Sequence, residues 1–243
     1  MHKLVFRFLF FTMVVGSLSG CGIIDYFYLP PSEDTAQELF ENGNDAMAEK
    51  DYVSAVDYYT KLKDQYPSSP YTLEAEISLG DAYFLDEEYV MAAEAYKDFE
   101  DMHPRHEAIP YVLNQIALSD MKSYRSIDRP TTALVEAVGY LERVQESYPN
   151  TEYASRAAEL IIACRQQMAQ HELYIADFYE RAGKYGASWR RYNYVIENFS
   201  DLETEHAYAE QQSKLVYIKY LESLSKENRR EQEGSWKDWF NWL

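Results

Sequence analysis

Two cysteines, two close histidines, an adjacent pair of arginines and scattered carboxylates are the side chains in this chain that chemistry would draw on. Cys164 lies beside Ile161 and Ile162 in a run with helical spacing, where a thiol serves as a small core residue. His103 and His106 flank Pro104-Arg105 with no cysteine and no helical His-Glu spacing nearby, so no metal site is expected there. Asp86-Glu87-Glu88 reads as a solvated turn and not as a pair of general acids. The chain has no nucleophile elbow, no phosphate-cradling glycine loop and no supported Cys-His pair. The expectation is a protein with no catalytic residues, no cofactor and no metal. Two places with chemical prospects remain. Cys21 invites modification, and Arg190-Arg191 offers guanidinium forks suited to carboxylates at an interface.

Cys21 is placed by what precedes it. Lys3 and Arg7 supply a positive start, Phe8 to Val15 an apolar run, and Gly16, Ser17, Ser19 and Gly20 the small residues of an export signal. The run is shorter than the roughly 20 residues a membrane span requires. Leu18-Ser19-Gly20-Cys21 resembles a bacterial lipobox, which implies diacylation of the thiol and cleavage before Cys21. Multiple acyl chains hold a protein firmly to a bilayer surface. The position after the cysteine is Gly22 and not the aspartate that favours inner-membrane retention, which points to the outer membrane. Ile23 to Pro31, with Tyr26, Phe27, Tyr28 and Pro30-Pro31, reads as an extended leader between anchor and body.

The formal charge of −18 deepens once Lys3 and Arg7 leave with the signal. Such a surface repels phosphate backbones, so nucleic acid is excluded as a partner. With Cys21 lipidated, Cys164 has no disulfide partner, and the core alone must hold the fold. The 16% aromatic content and only 9 glycines suit a packed helical protein.

An internal repeat supplies the elements. Gly43, Ala55, Tyr59 and Pro67 recur 37 residues later as Gly80, Ala92, Tyr96 and Pro104. A third, looser copy carries Ala117, Ala137, Leu141 and Pro149, with extra residues expected in a loop at Ser126 to Pro130. A fourth places Ala176, Tyr179, Ser188 and Tyr192 in the same slots, with Ser200 where the proline should be. A last helix is expected over about 204–225, where Leu215, Ile218, Leu221 and Leu224 fall at helical spacing. The pattern predicts an all-α tetratricopeptide-repeat superhelix of about five helix-turn-helix units, with at least nine helices. Its organisation is 1–20 signal, 21–35 lipidated leader, 36–225 array, and 226–243 a charged helix end or linker with an aromatic tail.

More specific signals lie at the helix ends. They are Gln65-Tyr66-Pro67-Ser68-Ser69-Pro70-Tyr71, His103-Pro104-Arg105-His106 with Tyr111, and Ser147-Tyr148-Pro149-Asn150-Thr151-Glu152-Tyr153. Met168-Ala169 then leads to Glu172, Ala176, Phe178-Tyr179, Gly183, Tyr185, Ala187 and Arg191. With the lipobox and leader, this set resembles the BamD family of outer-membrane lipoproteins. The resemblance implies a lipid-anchored periplasmic scaffold of the barrel assembly machinery, working with its other subunits. In that family the C-terminal repeats dock the POTRA domains of the barrel protein BamA, which would place Arg191, with its neighbour Arg190, on the contact face. The N-terminal repeats would receive segments of unfolded outer-membrane proteins.

A superhelical stack presents a groove lined by the first helix of each repeat. Equivalent groove positions are Phe40, Asn44, Met47, Ile77, Asp81, Phe84, Tyr111, Asn114 and Leu118, each of which also suits packing between helices. For Arg191 the other reading is an exposed cation near Glu197. The competing function is another envelope adaptor that organises peptidoglycan or secretion enzymes. An enzyme such as a lytic transglycosylase would need a separate domain with a general-acid glutamate, and the repeats use up residues 36–225. The tail Trp236 to Leu243 has three readings: a cap on the last repeat, a membrane contact or a partner contact.

Overall fold

Helix starts and stops follow from the local sequence. Thr35 and Glu38 form a reciprocal capping box at the first helix, the Glu38 carboxylate accepting from the Thr35 amide at 2.8 Å. Asp51 and Thr151 cap other helices by accepting from the amides of Ser54 and Ala154. A computed structural model describes residues 34–233, so Cys21, nearly all of the leader and the tail after Glu233 lie outside the described residues. Within them run nine helices and no strand. They are α1 (Ala36–Glu49), α2 (Tyr52–Gln65), α3 (Thr72–Leu85), α4 (Tyr89–Met102), α5 (Ile109–Ser123), α6 (Thr132–Ser147), α7 (Glu152–Arg181), α8 (Tyr185–Asn198) and α9 (Glu203–Glu233). No helix among the described residues is long and apolar enough to cross a membrane.

Each helix packs chiefly on its neighbours in sequence, as a tetratricopeptide array requires. Within copies one, two and four the turn between helices carries a left-handed residue, Lys50, Glu87 or Gly183. Copy three has a loop from Tyr124 to Thr131 instead, where the extra residues were expected. Between copies the chain leaves each second helix through Tyr66, His103 or Tyr148, all with φ near −130°. Phe199 adopts φ −129° before Ser200, so the fourth exit keeps its shape without a proline.

Two lengths depart from a regular repeat. α7 has 30 residues against 14 in α1 and α3, and its first half packs on α6 through Ala154, Ala157 and Cys164. α9 runs to Glu233, beyond the expected end near 225. Residues 226–233 contain neither Gly nor Pro and are mostly strong helix formers, so nothing stops the helix before Gly234.

The core repeats with the sequence. Ala55, Ala92, Ala137 and Ser188 are all fully buried at the start of each second helix. Tyr59, Tyr96, Leu141 and Tyr192 follow them inward, each in the aromatic slot. A Cβ added to Gly43 or Gly80 would fall 2.5 Å from the ring of Tyr59 or Tyr96. The third copy carries the least comfortable polar groups. Ser119 Oγ, Asp120 Oδ2 and Tyr124 Oη are buried without a hydrogen-bond partner. Lys97 approaches this region, 3.9 Å from Asp120, 3.1 Å from Glu136 and 3.6 Å from Glu94. Burial pushes the Asp120 carboxyl up to about 6 despite the pull of Lys97.

Two stability experiments follow from this packing. Gly80→Val forces the Tyr96 ring to move and should lower the urea unfolding free energy by about 1–3 kcal/mol. Gly139→Ala, in α6 with nothing within 4 Å of the added carbon, should instead gain about 0.5–1 kcal/mol. Equal effects at the two sites would contradict the close-packing account. For Asp120 the folded pKa lies above the unfolded one, so the folded chain binds the extra proton between about pH 4 and 6. The stability this confers is complete below that window and lost as pH rises through it. Asp120→Asn should therefore be more stable than the parent at pH 7 by about 1–2 kcal/mol, with the gap closing below about pH 4. Urea midpoints across that range check this, and a gap that does not vary with pH defeats it.

Candidate binding groove and docking face

The first helices of the copies present a line of polar groups anchored by tyrosines. Tyr59 Oη donates to Asn44 Oδ1 at 2.7 Å, Tyr96 Oη to Asp81 Oδ1 at 2.5 Å, and Tyr192 Oη to Asp177 Oδ1 at 2.6 Å. Each acceptor immediately follows the small residue of its copy, Gly43, Gly80 or Ala176, and in the first two the tyrosine ring lies on that glycine. The next copy reinforces two of these joints. Tyr111 of α5 also donates to Asp81, and Tyr208 of α9 donates to Asp177 at 3.2 Å. Gln115 adds a bond to the Tyr96 hydroxyl at 3.3 Å. Burial first and neighbouring acids second raise the pKa of Tyr96 and Tyr192, and burial raises that of Tyr59 to about 12. These phenols therefore stay protonated and act as donors. The third copy lacks both halves of the pair, with Leu141 in the tyrosine slot and Leu118 in the acceptor slot.

The residues expected to line a groove lie in three sets, on α1, α3 and α5. Phe40 is half-buried and stacks on Tyr71, ring centroids 5.4 Å apart, while Asn44 is exposed and Met47 packs on the first core. Ile77 and Phe84 lean on the second core, Phe84 edge-on to Tyr89 with the Lys122 ammonium 6.0 Å from its ring. Asp81 and Tyr111 meet directly. Leu118 is half-buried, but Asn114 is buried at 6% exposure, where its role is packing between helices.

Arg190 and Arg191 sit on α8. Arg190 is exposed. Arg191 Nη1 donates to Glu172 Oε2 of α7 at 2.7 Å, with 42% of its side chain still exposed. The neighbour is thus Glu172 and not Glu197. A residue six positions along the same helix faces away, whereas Glu172 lies on the helix packed alongside. The histidines are otherwise engaged: His103 Nε2 lies 2.9 Å from Glu76 Oε2, and both imidazoles pack on Phe99. No cluster of three metal-ligating side chains occurs among the described residues. Cys164 is buried in the fourth core, its thiol pushed up to about 11 by that burial.

The repeat marks the tyrosines as recurring positions but does not by itself name their hydroxyl partners. The signal was present: Asn, Asp and Asp follow the small residue in copies whose aromatic slot holds Tyr, and Leu follows where it holds Leu. A double-mutant cycle of Tyr96→Phe with Asp81→Ala should show a coupling of about 1 kcal/mol in unfolding free energy. Strict additivity would mean that the hydroxyl and the carboxylate act independently.

Comparison with known proteins places the chain in a family. The family model YfiO, described as an outer membrane lipoprotein, matches residues 32–233. The outer membrane protein assembly factor BamD of Caulobacter vibrioides is 27% identical over 186 residues, which are 76% of this chain and 61% of that protein. The chain thus spans less than two thirds of that relative's length. The assembly factor BamD of Neisseria meningitidis serogroup A is 24% identical over 198 residues, 76% of this chain and 74% of its own. A solved tetratricopeptide repeat protein from Parabacteroides merdae superposes with a TM-score of 0.41 at 15% identity, covering 82% of this chain and 80% of that one.

Proposed function

This chain belongs to the YfiO family of outer membrane lipoproteins, and from that premise we propose that it is a lipid-anchored periplasmic scaffold of the outer-membrane β-barrel assembly machinery. The observation that carries the reading is the match of the whole helical array to that family, with relatives named as assembly factors. Cys21 is the anchor, holding the array at the periplasmic face of the outer membrane. The array docks the BamA-like barrel subunit and sits among the machinery's other components.

Arg190 and Arg191 form the docking contact. An arginine fork already engaged by Glu172 is preorganised for a carboxylate, and a partner's acid can take the place of Glu172 without a new rotamer. The groove from Phe40 to Leu118 receives extended segments of unfolded outer-membrane proteins. Its half-buried aromatic and aliphatic side chains accept apolar residues, and Asn44 and Asp81 offer acceptors to backbone amides. The acidic surface disfavours nucleic acid.

The test is a mild-detergent pull-down of the tagged protein from its native membranes. A BamA-like barrel protein should co-purify in stoichiometric amount, and Arg191→Glu should reduce its recovery at least about tenfold, a loss of about 1.4 kcal/mol. Circular dichroism of the variant should remain helical, because the side chain is partly exposed. Recovery of only peptidoglycan or secretion proteins would overturn the reading and leave an envelope adaptor with a different cargo.

A further inference from the structure

The interface between α6 and α7 stops before α7 does. Ala157, Cys164, His171 and Phe178 recur every seven residues and so lie along one face of the helix. Ala157 and Cys164 are fully buried, in one core with Leu134, Ala137 and Leu141 of α6. α6 begins at Thr132, and its first turn meets α7 at His171. There Pro130, Thr131, Thr132, Val135, Glu136 and His171 surround an open notch of about 430 Å³. The loop of copy three is fastened at the same place, His171 Nδ1 donating to the Ile127 carbonyl at 2.5 Å. From Glu172 to Arg181 the helix runs on for about 15 Å beyond the start of α6. The face that was buried is now open. Phe178 is 53% exposed, and Tyr174, one turn before it, is 41% exposed.

We propose that this overhang docks an acidic amphipathic helix of a partner protein, which continues the line of α6, lays apolar residues on Tyr174 and Phe178, and sets carboxylates against Arg129 and Arg181. Two features select this occupant. The first is continuity with an existing interface. The open face prolongs one that a helix already packs, and Tyr174 and Phe178, four apart, form a ridge that the groove of a second helix receives. The second is charge. Arg129, in the loop, and Arg181, at the far end of α7, are exposed and make no ion pair among the described residues. The acids around them are already engaged: Asp128 by Ser126, Glu136 by Lys97, Glu172 by Arg191, Asp177 by Tyr192 and Glu180 by Lys219. In a chain with 41 acidic and 23 basic side chains, the overhang is thus framed by two available cations, which draw an acidic partner and repel a basic one. This face is separate from the Arg191 contact, because Glu172 stands about 160° around α7 from Tyr174. It does not depend on the assembly role proposed above.

Photocrosslinking of the full chain in its native membranes tests it. A benzoylphenylalanine placed at Phe178 should capture one partner segment, whose sequence, read by mass spectrometry, shows apolar residues at helical spacing flanked by Asp or Glu. The same group placed at Val53, 68% exposed on α2, should not capture that segment. Arg129→Glu with Arg181→Glu should cut the yield at Phe178 by about tenfold, with helicity by circular dichroism unchanged because both positions are exposed. A cross-link to a second copy, to another part of the same chain, to lipid alone or to a basic segment would overturn the proposal. So would no cross-link at all, or a yield that survives the double charge reversal. The captured segment is judged on its composition, whichever protein supplies it. Recovery of a barrel partner predicts none of these results, so this proposal and the assembly reading fail separately.

Discussion

Two helices in this array approach closely where one gives up its side chain so that a ring from the other can take the space. Tyr59 over Gly43 and Tyr96 over Gly80 make that contact in full, and Ala176 and Tyr192 of the fourth copy are buried in one core. The distance between paired helices, and hence the pitch of the stack, is set by the thickness of that ring. Once the ring is seated, its hydroxyl reaches the residue one step along the first helix. The position after the small residue therefore becomes an acceptor, and the acceptor then collects a second tyrosine from the following copy at Asp81 and Asp177. One steric decision propagates into the line of polar groups carried by the first helices.

Much of this was legible in the sequence because a repeat shows each constraint several times. Gly, Ala, Tyr and Pro at a constant spacing identify the helix pairs without any appeal to propensity, and the long loop of copy three follows from the wider spacing of its prolines. What stayed hidden depends on direction. A string of letters does not say where a phenol points, so the bonds to Asn44, Asp81 and Asp177 were not foreseen. Arg191 was associated with Glu197 on its own helix, while the packing of α7 against α8 hands it Glu172. Asn114 reads as a groove residue by position, but the rotation of α5 turns it inward. Helix ends without a breaker are equally silent, which is why α9 extends past its apolar spacing.

The electrostatics are uneven along the chain. Most acids face water, where their mutual repulsion is screened. Around copy three a single ammonium, Lys97, serves three carboxylates from three helices, α4, α5 and α6. Desolvation opposes its charge, yet Asp120 and Glu136 together hold its pKa above the usual range. A tyrosine-to-acceptor bond joins the two helices in copies one, two and four. In copy three an apolar contact does that work, and the polar demand is moved to this half-buried cluster.

Contacts made chiefly between helices adjacent in sequence also decide what an insertion can do. The loop from Tyr124 to Thr131 lies inside the third copy and the extra length of α7 precedes Ala176 of the fourth, and the second and fourth copies keep the same internal register. In a globular core such additions would disturb packing in every direction. In a linear stack they act as local spacers, altering the separation and relative rotation of the parts on either side while leaving each part intact. The span from the Phe40–Asp81 region to the Arg191 face is therefore an adjustable dimension of the molecule, one that lengthening or shortening a single junction can tune to the size of whatever must bridge it.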